Sequence, residues 1–213
     1  MKINLEVLDA SFIYAKDSIE NLNTKELVPK MVTRRRLTRA SKIAVYLSSK
    51  IDYTNQRIVF GSSFGELLCT ENILDSINNQ EQISPTQFQN SVYNIPVAYL
   101  SILSNNTNEI MTISSDDKTS IDVLKAGAIK ALDGDEIVLM VIEALNIKAI
   151  KEVNNCIDYL EAGVILKVKL SNKDKTIDIK NTNQLKLPNS LIQMFNIAKD
   201  FDKNKQNIIE INI

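Results

Sequence analysis

The sequence predicts an α/β fold built on a mixed, mainly parallel sheet with helices on both faces. Three observations carry it. Apolar runs of strand length stand at residues 57–60, 109–114 and 137–142; segments with helical three- and four-residue spacing lie between them; and glycine turns, Gly61 to Gly65 and Gly134-Asp135, join the two kinds of segment. With 213 residues, 44% hydrophobic, 24% charged and a formal net charge of -1, the chain has the composition of an ordinary globular domain.

Residues 3–14 alternate Ile3, Leu5 and Val7 with Asn4 and Glu6 and then become largely apolar, which predicts a strand whose ladder partner cannot be deduced. From Val28 the spacing of Leu37, Ala40, Ile43, Ala44 and Leu47 predicts a helix, with Arg35, Arg39 and Lys42 on its opposite stripe. Arg57-Ile58-Val59-Phe60 is a short buried strand entering the glycine turn, and Leu67 to Ile77 follow at helical spacing. Ser84-Pro85 pairs a capping side chain with a proline at a first helical position. Residues 91–103 are apolar on nearly all sides, so a helix there is buried, with Pro96 in its first turns. A strand at 109–114, an amphipathic helix at 119–132 and a continuous apolar run at 137–142, central in a sheet, complete the core.

After Asn146 the pattern changes. Residues 164–170 and 176–179 flank the polar loop at 171–175, a β-hairpin signal; a helix from about 188 to 199 and a strand at 208–211 follow. About 65 residues make a marginal core of their own, and no Pro/Gly/Ser linker precedes them. The expectation is one domain over 1–213, a core at 1–146 with a C-terminal hairpin and helix appendage at 147–213.

There is no histidine. The commonest general base, the commonest metal ligand and every Ser-His or Cys-His pair are therefore excluded. Cys69 and Cys156 lack a CxxC spacing and read as small buried apolar residues in a reducing cytoplasm. No metal site and no cofactor motif is visible. The N-terminus carries early charges and no apolar run of signal-peptide length, and nowhere do about 18 apolar residues stand together, so a cytoplasmic protein without a membrane span is expected. Near-zero net charge gives no global field for nucleic acid.

Gly61-Ser62-Ser63-Phe64-Gly65 matches G-x-S-x-G, the elbow that exposes a nucleophilic serine. Ser63 has no histidine to take its proton and no Ser-x-x-Lys partner, so the structural reading leads: Gly61 and Gly65 permit a tight turn and close approach of helix to strand. Lys30, Arg34, Arg35, Arg36, Arg39 and Lys42 are the densest charge in the chain, either a solvated face or a docking patch for an acidic partner; Arg36 could also form a fork with a carboxylate at a subunit interface. Asp116 and Asp117 precede a helix and suit its N-cap better than a magnesium site.

Val28-Pro29-Lys30, Arg34-Arg35-Arg36-Leu37, Phe60-Gly61-Ser62-Ser63-Phe64-Gly65-Glu66-Leu67, Ile83-Ser84-Pro85, Ser91-Val92-Tyr93-Asn94 and Tyr99-Leu100-Ser101-Ile102 resemble, in order and spacing, the N-terminal half of β-ketoacyl-acyl carrier protein synthases. The nearest resemblance is to the short chain-length-factor-like proteins of aryl polyene pathways. It covers about residues 28–145 and implies a thiolase-like half fold. Matching the family's Cys-x-Ser-x-x-Asp-Ala-Leu segment to Asp122-Val123-Leu124 places Asp117 at the nucleophilic cysteine, give or take one residue, with Thr119 and Ser120 beside it. Ala98 replaces a family glycine, and the family's catalytic histidines and lysine belong to a second half that this sequence does not reach.

The resemblance therefore implies a non-catalytic, chain-length-factor-type subunit that pairs with an active β-ketoacyl synthase in fatty acid or polyketide-type biosynthesis. It implies a dimer interface near residues 109–114 and 91–103, and docking of an acidic acyl carrier protein at Arg34, Arg35, Arg39 and Lys42. An aspartate would be a poor substitute nucleophile, because acyl transfer to an ionised carboxylate gives an anhydride. Two other readings stay open: a small acyl-transfer or hydrolytic enzyme using Ser63 or Cys69, and a homodimeric binding scaffold.

Overall fold

The computed structural model describes residues 1–148, 150, 157–201, 203 and 206–213; Cys156 lies outside them. The alternation at the chain's start becomes β1 (Lys2–Ala15), and 14 residues of strand need a partner of similar reach to satisfy their backbone groups. That partner is β5 (Glu161–Ser171), antiparallel from Asn4↔Ser171 to Ala15↔Glu161 with a bulge between Val7 and Asp9. On the other side of β1, residues 2–6 pair antiparallel with β6 (Ile208–Asn212).

Strands β2 (Arg57–Gly61), β3 (Ile110–Ile113) and β4 (Ile137–Ala144) complete a six-stranded sheet of order β3-β2-β4-β5-β1-β6. Only the β2–β3 and β2–β4 pairs are parallel; the remaining three are antiparallel. The sheet is mixed as expected, yet mostly antiparallel rather than mainly parallel. Helical crossovers join β2, β3 and β4, whereas β5 and β6 run opposite to the other strands, which makes the β4–β5, β5–β1 and β1–β6 pairs antiparallel. The expected hairpin does not form. Residues 164–170 belong to β5, interior between β4 and β1, and 176–179 meet the sheet only at its β6 edge, where Thr176 exchanges hydrogen bonds with Ile208 and Ile177 forms a parallel bridge to Ile209. The region after 146 thus contributes an interior strand instead of a peripheral addition.

Among the described residues the helices are α1 (Thr24–Leu27), α2 (Met31–Arg36), α3 (Arg39–Ser48), α4 (Leu67–Asn78), α5 (Pro85–Gln89), α6 (Ile95–Ser104), α7 (Thr119–Ala131) and α8 (Ile192–Asp200). The helix expected from Val28 to Leu47 is broken at Leu37-Thr38. Leu37 is extended and buried, and the Thr38 side chain accepts from the Ser41 N–H as the N-cap of α3. Ser84 caps α5 and Pro96 sits in the first turn of α6, as their positions suggested. Helix α6 is less enclosed than its apolar sequence implied, since Ile102 is 68% exposed and Val92 and Tyr93 stand exposed before it.

All eight residues of β4 are buried. Strand periodicity splits them between two cores. Ile137, Leu139 and Val141 pack with Val123, Leu124 and Ala128 of α7 and Met194 and Ile197 of α8. Val138, Met140 and Ile142 pack on the opposite face with Ile43 and Leu47 of α3 and Val97 of α6.

Candidate functional site

The parallel strands β2, β3 and β4 end on one rim, where α/β sheets hold their polar groups. Three segments meet there. The glycine turn leaves β2, the Asp116-Asp117 turn leaves β3, and a 3-10 turn at Asn189–Leu191 lies across both.

Glu143 is the centre of this rim. It follows Val141 on the α7 face of β4 and is fully buried. Its Oε1 accepts from Ser63 N at 2.6 Å and from Ser190 Oγ at 2.6 Å; its Oε2 accepts from Ser62 Oγ at 2.9 Å and more weakly from Phe64 N at 3.3 Å. Ser62 Oγ in turn accepts from Gly65 N at 2.9 Å. Burial pushes the Glu143 carboxyl up, and these four donors pull against it. The amides that could receive an external anion are therefore engaged by the chain's own carboxylate.

The two glycines have separate reasons. Gly65 has φ +62°, the left-handed turn that glycine adopts without strain. A Cβ on Gly61 would lie 2.7 Å from Thr119 Cγ2 and Val123 Cγ2, so Gly61 lets α7 close onto the end of β2. The close approach is to α7, not to the helix that follows the turn.

Asp117 lies in the 3-10 turn Asp116–Lys118 that joins β3 to α7, and Asn189 Nδ2 donates to its Oδ2 at 3.2 Å. Asp116 holds φ +46°, so the sharp turn of this strand–helix junction falls on it. Neither aspartate caps the helix. Thr119 does the local work, its Oγ1 accepting from Ser115 N and donating to Asp116 O. Asn189 and Ser190, adjacent in sequence, thus join the Asp117 turn to the Glu143 loop. Among the described residues no cluster suited to a metal ion occurs, and no helix is long and apolar enough to cross a membrane.

The basic residues do not form one patch. Arg39 turns inward: its Nε donates to Glu161 Oε1 at 2.5 Å and its Nη2 to Oε2 at 2.7 Å and to the Ile19 carbonyl. Glu161 is fully buried and also accepts from Ile19 N and Asn146 Nδ2. Arg34 donates to the carbonyls of Val28 and Pro29, and Lys42 is half-buried on α3. Arg35 and Arg36 remain exposed at the end of α2, beside the exposed Met31 and Val32.

Ser63 has its N–H on Glu143, and its carbonyl accepts from Tyr93 OH at 3.3 Å; among the described residues its hydroxyl has no hydrogen-bonded base. Cys69 is half-buried on α4, and burial, then the charge of Glu66, pushes its thiol up to about 11. Such a thiol is little ionised near neutrality.

Glu143, Glu161 and Glu66 escaped the reading of the sequence. The available signal was a single carboxylate ending or starting an otherwise apolar run, Ile137 to Ile142 before Glu143 and Ala162 to Leu166 after Glu161. A charge there needs a partner.

The model of the family described as β-ketoacyl synthase, N-terminal domain, matches residues 14–190. No curated protein matches the chain by sequence. Among solved structures, the fold is shared with the ketosynthase (ApeO) in complex with its chain length factor (ApeC) from Xenorhabdus doucetiae, with TM-score 0.72, 20% identity and 93% of both chains covered. It is shared also with the ishigamide ketosynthase/chain length factor, at TM-score 0.66, 9% identity and 80% of this chain against 63% of that one. A type II acyl-carrier protein–ketosynthase complex, AntDE:AntF bound to the hexaketide, matches at TM-score 0.64 and 12% identity, over 80% of this chain and 64% of that one. The chain spans nearly the whole of the first of these and less than two thirds of the other two.

Proposed function

This chain belongs to the β-ketoacyl synthase N-terminal-domain family, and from that premise we propose that it is a non-catalytic, chain-length-factor-type subunit that pairs with an active β-ketoacyl synthase. The observation that carries the reading is a set of exposed apolar side chains on α4, α5 and α6, together with an open sheet edge. Helix α4 buries none of its residues and exposes Leu68, Leu74 and Ile77; α5 exposes Phe88, and α6 exposes Ile102. Strand β3 ends the sheet and pairs only with β2. An exposed sheet edge and exposed large apolar side chains are features that a partner subunit covers. The similarity in fold to ketosynthase–chain length factor complexes supports the kind of partner.

Two features of the rim support a non-catalytic role. The junction between β3 and α7 carries Asp116 and Asp117 where the resemblance to ketosynthases implies a cysteine, and the chain has no histidine. Glu143 occupies the Ser63 and Phe64 amides, so these two are not free donors for an oxyanion. Co-expression with a candidate ketosynthase tests the pairing: a 1:1 complex by light scattering is expected, and two separate monomers would sink it. A serine- or cysteine-based enzyme instead requires site-selective labelling of Ser63 by a fluorophosphonate or of Cys69 by iodoacetamide at neutral pH.

Of the docking residues Arg34, Arg35, Arg39 and Lys42, Arg39 holds Glu161, Arg34 is engaged with backbone carbonyls and Lys42 is half-buried, which leaves Arg35 exposed with its neighbour Arg36 beside it. Charge reversal of both Arg35 and Arg36 is expected to weaken acyl carrier protein binding to the assembled complex. Unchanged binding would remove this surface from the proposal.

A further inference from the structure

Helix α4 buries none of its 12 residues completely, and its N-terminal end is tied to α3 by a polar contact. Its first turn begins at Glu66, directly after the left-handed Gly65, and Glu66 is only 6% exposed. Thr38 Oγ1 donates to Glu66 Oε1 at 2.6 Å. The same hydroxyl caps α3, accepting from Ser41 N at 3.1 Å, and lies 2.7 Å from Ser41 Oγ. With its one proton directed to Glu66, Thr38 takes the Ser41 hydroxyl as a donor. Farther along α4, Lys148 N donates to Glu71 and the exposed Lys148 ammonium lies 3.5 Å from Asp75.

Among the described residues, the groups that act on Glu66 are the Thr38 hydroxyl of α3, itself bonded to the Ser41 hydroxyl, and the Cys69 thiol of α4. None of them carries a positive charge. Among the described residues, no Lys or Arg forms an ion pair with Glu66, in contrast to Glu161 and its Arg39. A neutral carboxyl is at ease in such a site, and an ionised one is driven toward water.

We propose that the Thr38–Glu66 contact is a proton-gated clamp: neutral Glu66 holds the first turn of α4 against α3, and ionisation releases that turn about Gly65. Burial, opposed by the Thr38 hydrogen bond, pushes the Glu66 carboxyl from 4.5 up to about 7. In a released turn the carboxyl returns to its ordinary value. Release is then favoured by proton loss, its equilibrium constant rising about tenfold per pH unit between the two values and levelling above the upper one. The sign is that of a raised carboxylate: the clamp is strongest at low pH and weakens as pH rises. The clamp stands independently of the pairing reading, and it would set how α4 is presented to any partner.

Hydrogen exchange on the full chain, corrected for intrinsic rates, tests it at about pH 5 and about pH 7.5. The Thr70 amide, which donates to the Glu66 carbonyl, and the amides that follow it in α4 are expected to lose up to about 100-fold in protection at the higher pH, with those of α7 unchanged. Glu66→Gln, which mimics the neutral acid, is expected to keep the same protection at both. Equal loss in the variant, or no loss in the wild type, would overturn the clamp. A carboxyl carbon NMR titration of the wild type provides a check that needs no variant: a Glu66 midpoint close to 7 supports the clamp, and one near 4.5 refutes it.

Discussion

Helices α7 and α4 begin alike and end differently. Each leaves a parallel strand through a turn with a left-handed residue, Asp116 for α7 and Gly65 for α4, and they have 13 and 12 residues. Helix α7 buries seven of its residues, with Val123, Leu124 and Ala128 in the core shared by β4 and α8. Helix α4 buries none, and its Leu74 and Ile77 are both 54% exposed. Helical spacing of apolar residues establishes that a helix has a face to cover. It does not say whether the same chain or another one covers it.

On the covered side the largest break is expected at Arg39, where α3, β5 and the loop at Ile19 are joined through one charge pair. Arg39→Ala leaves Glu161 buried without its cation and is expected to cost about 3–5 kcal/mol, read as a lower urea midpoint at neutral pH. A cost no larger than that of an exposed ion pair would mean that Glu161 is not buried in solution. Leu124→Ala, at a position with no exposed surface, is expected to cost about 2–5 kcal/mol. Next comes Gly127→Ala, whose Cβ would lie 2.3 Å from Leu139 Cδ2, for about 1–3 kcal/mol of overpacking. If both α7 substitutions were neutral, α7 would be no better packed than α4 and the contrast would fail.

The covered side is also the part of the molecule that its sequence displays. The run at Ile137 to Ile142, the spacing from Thr119 to Leu132 and the strand at β3 reflect local periods of two or 3.6 residues, and they stand where those periods place them. The place of β5 between β4 and β1 is set by pairing over more than a hundred residues, which no local period records. Arg39 lies on the polar stripe of its helix, yet its partner Glu161 is 122 residues away. Glu143 needs donors from Ser62, Ser63, Phe64 and Ser190, so its role exists only once three segments have met. The site was legible as a turn and two aspartates, and illegible as a carboxylate with its ring of donors.

The smallest expected effect on the isolated chain bears most directly on the partner. Leu74→Ala and Ile77→Ala remove side chains that are already more than half in water, so each is expected to change unfolding stability by less than about 0.5 kcal/mol. The same pair, measured against the complex with an active ketosynthase, is expected to raise Kd by about tenfold or more if α4 lies in the interface, because burial there recovers the transfer free energy that the isolated chain leaves unrealised. The two measurements separate what α4 does for this chain from what it does for a complex. A loss of stability in the isolated chain comparable to that of Leu124→Ala would show that the chain covers α4 itself. A neutral result in both would leave the apolar face without an energetic role, and the pairing surface would then have to be sought along β3 and the exposed side of α6, where Ile102 stands 68% in solvent.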